Sequence, residues 1–295
     1  MDGVGGLHGW RWIFLLEGLP SIFMGIATWF YLPDFPHSAS FLTERERMIA
    51  SQRLAENSQQ LINDTSFNLR ECFQTILHPR TWLFCLTYLA LMVPIYSFSF
   101  FMPQLIHNLG FKSIQAQLLS SPPYLLTYIM TILWAYHSDR TRERPWHVFI
   151  PFACTSIGYF LLAKVVSGMY AKFVAMAFTL ALAFCTSPPT LAWHTSTVYK
   201  MSNTVKATST AMMVSIGNLS GIIAPFLYAA AKDKMSSKTA NGNSTQEEFG
   251  HLMNASFGIL GCFLVCCLRY YLSRTDISRN AEKRFAQTFP NKSPV

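Results

Sequence analysis

Seven stretches of this chain are long and apolar enough to cross a bilayer. A hydrocarbon core about 30 Å thick requires roughly 20 consecutive apolar residues of helix. The stretches run over Trp12–Leu32, Trp82–Pro103, Gln117–Tyr136, Val148–Val166, Phe173–Thr195, Thr208–Ala231 and Leu252–Tyr271. Nearly all Lys, Arg, Asp and Glu residues lie between them. Only Glu17, Lys164 and Arg269 fall inside, the last two near span ends, where a long cationic side chain reaches water. A soluble fold spreads charge along the exposed face of every helix. Here charged residues are 13% of 295, against about 25% in ordinary soluble domains. The expected fold class is therefore all-α, multi-pass and membrane-embedded.

The charge between spans sets an orientation, because cytoplasmic loops carry the excess of Lys and Arg. One set of alternate loops, with the C-terminal tail, holds sixteen Lys and Arg, among them Arg45, Arg140, Arg144, Lys206 and Arg274; the other holds six. The first set is expected in the cytoplasm, with the C-terminus inside and the N-terminus outside. The net charge of +8 then reads as topology, and no interleaving of basic and aromatic residues calls for a nucleic-acid partner. Asn243-Ser244-Thr245 falls in a loop expected outside, which makes Asn243 a glycosylation candidate. Trp and Tyr residues gather near span ends, as an interfacial belt requires. Met1–Gly9 has no basic region ahead of its apolar run, so the first span is expected to be its own insertion signal or to follow further sequence. The seven cysteines show no metal-ligand or redox spacing and read as small buried hydrophobes, so no metal and no cofactor are expected.

The segment Pro33–Thr81 is long and structured. Thr43-Glu44-Arg45-Glu46 is a capping box that starts a polar helix running to about Ala55. Ser66 is placed to cap a second helix, whose Leu69, Cys72, Phe73, Ile76 and Leu77 recur at helical spacing and point it to the membrane surface. Within the spans stand Pro20, Pro94, Pro122-Pro123, Pro188-Pro189 and Pro225. Transporters use such interruptions near substrate, although single prolines are common in membrane helices; the doubled pairs are the better candidates. Gly217 and Gly221 form a Gly-x-x-x-Gly step that admits a close neighbour.

More specific motifs surround these features. Gly9-Trp10-Arg11-Trp12-Ile13-Phe14, Glu17-Gly18 and Leu32-Pro33-Asp34-Phe35-Pro36 resemble the sixth helix of fungal major facilitators of the anion:cation symporter family, whose members include allantoate, nicotinate, pantothenate and biotin permeases. Phe41-Leu42-Thr43-Glu44, Ser120-Ser121-Pro122-Pro123-Tyr124, Ser138-Asp139-Arg140 and Gly217-Asn218-Leu219-Ser220-Gly221 carry the resemblance onward. The stretch His194 to Tyr199 departs from that family's usual Asn-Asn pair. The resemblance implies a major facilitator fold containing helix six plus the complete C-terminal six-helix half, with the first five helices lacking. In that register 1–32 is the last helix of the N-terminal half, 33–81 a cytoplasmic linker, 82–272 the six-helix bundle and 273–295 a cytoplasmic tail.

The implied activity is secondary transport of a small organic, anionic, vitamin- or allantoate-like solute by alternating access, in a multi-pass plasma-membrane protein that is not an enzyme. Its partners are the bilayer, the solute and protons as the coupling ion. Tyr96, Ser97, Tyr124, Trp193, His194 and Asn218 are substrate-cavity candidates, with helix packing as the competing role. Asp139, Arg140 and Arg144 are gating candidates, with a solvated loop as the competing role. Glu17, the one carboxylate well inside a span, is a proton-coupling candidate, with a structural pair to Arg11 as the competing role. Rival readings are a truncated, inactive transporter fragment and a seven-helix receptor; the latter lacks Asn-Pro-x-x-Tyr in its last span.

Overall fold

The computed structural model describes residues 3–33, 38–58, 68–198, 201–226 and 242–288. These residues are helical apart from short connections, and none of them lies in a strand. The chain separates into two compact units, Met1–Thr65 and Ser66–Val295.

In the first unit, a 3-10 turn at Val4–Gly6 leads into α1 (Gly9–Tyr31). The Trp12 indole donates to the Val4 carbonyl at 3.0 Å, folding the entry segment against the helix start. No residue of α1 is buried, the condition of a helix whose whole circumference is available to lipid or to another helix. Helix α2 (Glu44–Ser58) begins at the expected capping box. The Thr43 backbone N–H and hydroxyl donate to Glu46 Oε2 at 3.0 and 2.8 Å, and the Glu46 N–H returns a bond to Thr43 Oγ1 at 3.4 Å. The helix runs one turn beyond Ala55, because nothing in Glu56-Asn57-Ser58 breaks it.

The second unit opens with α3 (Leu69–Leu77) and α4 (Pro79–Asn108). Asn68, not Ser66, caps α3, its side chain accepting from the Arg70 N–H; Ser66 lies outside the described residues. Then follow α5 (Ser113–Leu119), α6 (Ser121–Thr141), α7 (Arg144–Lys164), α8 (Met169–Cys185), α9 (Ser187–Val198), α10 (Asn203–Asn218) with helical residues 220–226 behind it, and α11 (Gly242–Thr288). The doubled prolines do interrupt membrane helices. Helices α6 and α9 each restart at a Ser-Pro-Pro, Ser121-Pro122-Pro123 and Ser187-Pro188-Pro189, one residue after the preceding helix ends. Proline suits a helix start because its missing N–H is not needed there.

Among the described residues, seven helical segments meet the length and composition of a span: Gly9–Tyr31, Pro79–Asn108, Ile114–Thr141, Arg144–Lys164, Met169–Val198, Asn203–Phe226 and Glu247–Thr275. They match the sequence reading, with most ends lengthened by a turn or two into interfacial residues. The sixth begins earlier, at the Ser202 cap, and its expected end near Ala231 lies outside the described residues.

Helix α4 is the axis of the bundle. Phe84, Tyr88 and Leu91 pack with Val148, Phe152, Trp193, Met213 and Leu268, and further along Phe98, Met102 and Ile106 pack with Tyr159, Leu162 and Leu180. Glycine permits the closest crossings. A β-carbon on Gly217 would stand 2.2 Å from the Tyr88 ring, and one on Gly261 2.2 Å from Phe152.

Candidate functional site

Three places in the bundle collect polar side chains that an all-apolar span would not contain. The first is on α4 and α10. The Tyr96 hydroxyl donates to Asn218 Oδ1 at 3.0 Å, joining two spans, and its ring stacks on Phe100 with centroids 5.7 Å apart. Asn218 is exposed and Tyr96 half-buried. Next to Tyr96, Ser97 is fully buried, and its hydroxyl has no hydrogen-bond partner. Trp193 and His194 are buried edge-on against Phe84, at 5.5 and 5.0 Å, and His194 Nδ1 is likewise without a partner. A buried polar atom left unpaired is costly, and Ser97 Oγ and His194 Nδ1 share that condition with the hydroxyls of Thr81, Thr131, Ser138 and Thr155 in the same bundle. Tyr124 is half-buried and meets Phe184 edge-on at 6.5 Å.

The second place is the turn between α6 and α7. Asp139 and Arg144 form an ion pair at 3.7 Å, and Arg144 Nη1 also donates to the Ala192 carbonyl of α9, so one guanidinium joins three helices. Arg140 is exposed beside them. Arg142 closes α6 in a left-handed conformation, φ 58°, its N–H bonding the Ser138 carbonyl. A side chain in that conformation costs about 1–2 kcal/mol, which the tight turn imposes.

The same turn holds a histidine pair that the sequence reading missed. His137 Nδ1 and His147 Nε2 lie 2.7 Å apart, and His147 Nδ1 lies 2.7 Å from the Glu143 carbonyl. A carbonyl only accepts, so His147 Nδ1 carries the proton. Its Nε2 in the neutral ring is then the acceptor, and His137 Nδ1 donates. The Trp134 indole donates to the His147 carbonyl at 2.9 Å and covers the pair. The available signal was spacing: two histidines flanking a tight helix–helix turn face each other across it.

A third polar group closes the opposite ends of the helices. Lys164 pairs with Glu248, and Asn108 donates to Glu247. With Lys172 and His251 these carboxylates line a cavity of about 130 Å³ between α4, α7, α8 and α11.

Two expected residues remain. Glu17 is exposed on α1, and no ion pair joins it to Arg11, whose guanidinium lies over the Trp10 ring, 5.3 Å from its centroid. Asn243 lies in the first turn of α11 and not in a loop, since that helix extends to Gly242.

The family model of the Major Facilitator Superfamily matches residues 3–225. The chain belongs to this superfamily. The MFS transporter prlL of a fungal species (strain NRRL 50135) is 28% identical over 270 residues, 91% of this chain and 52% of its own length. A putative tartrate transporter of Agrobacterium vitis is 30% identical over 239 residues, 81% of this chain and 51% of its own. The putative metabolite transport protein NicT of Pseudomonas putida is 28% identical over 273 residues, 90% and 58%. The chain thus spans about half the length of the curated relatives it matches. Membership of the superfamily accounts for the multi-pass helical architecture, and it places the chain with transport proteins and not with enzymes or receptors.

Proposed function

We propose that this chain forms part of a secondary active transporter that moves a small organic anion across the membrane by alternating access. The observation that carries the reading is the Tyr96–Asn218 hydrogen bond, which joins the half-buried Tyr96 of one span to the exposed Asn218 of another beside the buried and unpartnered hydroxyl of Ser97. Polar groups within membrane helices concentrate along substrate pathways. The anionic class is supported by relatives named as putative tartrate transporters and by the resemblance to anion:cation symporters.

In the same proposal, α1 is the last helix of an N-terminal half, and the six spans from Pro79 to Thr275 are the C-terminal half. The N-terminus faces outside and the C-terminus the cytoplasm of a plasma-membrane protein, as the Lys and Arg distribution favours. The Asp139–Arg144 pair, with the Ala192 carbonyl, then locks the cytoplasmic ends of α6, α7 and α9 in one state. Glu17 is the proton-coupling carboxylate, because an acidic side chain inside a span is kept for a reason.

The test is uptake of radiolabelled tartrate by proteoliposomes containing the full chain, with an inward proton gradient. Saturable uptake is expected, reduced about tenfold in Asn218→Leu, the scale of one lost hydrogen bond in the transport path. Glu17→Gln should retain uptake and lose its dependence on the gradient. An Asn218→Leu variant as active as the wild type would remove the cavity assignment; an unchanged gradient dependence in Glu17→Gln would remove the coupling role.

A further inference from the structure

We propose that the cavity between α3, the start of α4 and the Met201–Val205 segment binds a phosphate group at the membrane surface. This cavity, about 170 Å³, is lined by Glu71, Gln74, Thr75, His78, Arg80, Thr81, Met201 and Val205. It lies wholly within the second unit and apart from the Tyr96–Asn218 pair, so it does not depend on the transport reading.

Three observations point to an anion. Arg80 is 8% exposed and lines the cavity, with a guanidinium N–H donating to the Met201 sulfur at 2.9 Å. A guanidinium fork suits two oxygens of one phosphate. Thr81 also lines the cavity, is 2% exposed, and its hydroxyl has no hydrogen-bond partner. Finally, both residues stand in the first turn of the 30-residue helix α4, whose positive dipole end favours negative charge. The backbone donors of that turn are already used: the Arg80 N–H bonds His78 Nδ1, and the Thr81 N–H bonds the His78 carbonyl. Recognition therefore belongs to the two side chains.

One group opposes an anion. Glu71 lines the same cavity, with Oε2 accepting from the Ser202 hydroxyl and Oε1 from Asn68 Nδ2. These bonds hold its carboxylate toward the ends of α3 and α10.

The surroundings place the cavity at headgroup depth. Leu69, Phe73 and Leu77 form an exposed apolar stripe on α3 at 64%, 64% and 78% exposure, the arrangement of a helix lying in the interface. Trp82, exposed and donating to the Ile76 carbonyl at 2.8 Å, sits beside it as an interfacial ring does. Phosphate is the anion always present at that depth, and basic pockets at helix ends hold lipid headgroups in this way. A free phosphate ion offers the same chemistry.

The test is the thermal unfolding of the purified full chain in neutral detergent. Dioleoyl phosphatidic acid, dioleoyl phosphatidylcholine, or inorganic phosphate against chloride at matched ionic strength is added. A rise in midpoint with phosphatidic acid alone assigns a lipid headgroup; a rise with inorganic phosphate as well assigns a phosphate site open to solvent. Either supports the site, provided Arg80→Gln weakens the apparent affinity about tenfold or more, the scale of a charge-assisted hydrogen bond. Thr81→Val removes only an unpartnered hydroxyl, so it keeps the unliganded midpoint while lowering affinity; it carries the test if Arg80→Gln does not fold. Glu71→Gln should raise affinity. The proposal is overturned if neither probe shifts the wild type, or if Thr81→Val and Glu71→Gln both respond as the wild type does.

Discussion

The first span, α1, buries none of its 23 residues, whereas α4 buries sixteen of its 30. Both are long and apolar enough to cross a bilayer. The difference is carried by what surrounds them. In the first unit the side-chain hydrogen bonds of Trp12, Ser21, Thr28, Thr43 and Arg47 reach no more than eight positions along the chain. In the second, Tyr159 bonds the Pro94 carbonyl, Ser156 the Ala255 carbonyl and Tyr96 the Asn218 side chain, so that distant spans are held together. In lipid, apolar surface gives no preference for protein over solvent. Close packing and such bonds are what make the apolar helix α4 a core within its unit.

Truncating the two helices alike tests this most strongly. Phe84→Ala, in the fully buried ring contacts with Trp193 and His194, should lose about 3–5 kcal/mol, read by thermal or denaturant unfolding. Phe23→Ala, at a position 68% exposed on α1, should change stability by less than about 0.5 kcal/mol. Equal losses would break the contrast.

Glycines sharpen it in the opposite direction, by adding an atom. Gly261→Ala forces a methyl to 2.2 Å from the buried Phe152 ring and should cost about 1–3 kcal/mol. Gly18→Ala and Gly25→Ala meet nothing within 4 Å and should leave the midpoint unchanged or raised. A destabilising Gly25→Ala would mean that α1 has a close neighbour after all.

The turn between α6 and α7 lies between these extremes. Asp139 is 69% exposed, so a double-mutant cycle with Asp139→Asn and Arg144→Gln should give a coupling below about 1 kcal/mol. Arg144→Gln alone should cost more than Asp139→Asn alone, since it also frees the Ala192 carbonyl. The smallest effect belongs to the first unit. Hydrogen bonds from the Thr43 backbone and then its hydroxyl hold the Glu46 carboxyl below its usual value of 4.5. A depressed value means that the cap's contribution is complete above the unfolded-state pKa and is lost as pH falls through the folded one. Thr43→Ala should return the Glu46 titration, followed by NMR, toward the usual value.

The spans and the α2 cap were legible because each rests on local sequence: a run of apolar residues long enough to cross, or a Thr and a Glu three positions apart. The Ser-Pro-Pro breaks were legible for the same reason. Burial was not. Trp193 and His194 could have faced a cavity from composition alone, and their position against Phe84 depends on how α9 rotates once α8 has ended at Cys185. Hydrophobic spacing found the start of α3 at Leu69, but the cap is Asn68, the residue directly before it, and not the Ser66 that was expected. His137 and His147 required the geometry of a turn, which hydropathy does not encode.

The closing helix has a consequence in plain length. At 1.5 Å per residue, the span Glu247–Thr275 measures about 43 Å, already more than the ~30 Å hydrocarbon core. Residues 276–288 continue the same rod for a further 20 Å or so. At tilts up to about 40°, the range of membrane helices, this rod is longer than the hydrocarbon core is thick. It stands out from one face like a mast, with Arg279, Lys283 and Arg284 along it. In the alternating access proposed above, a few degrees of rocking at its base would carry its tip through ångströms of water, giving motion within the bundle a lever arm outside the membrane.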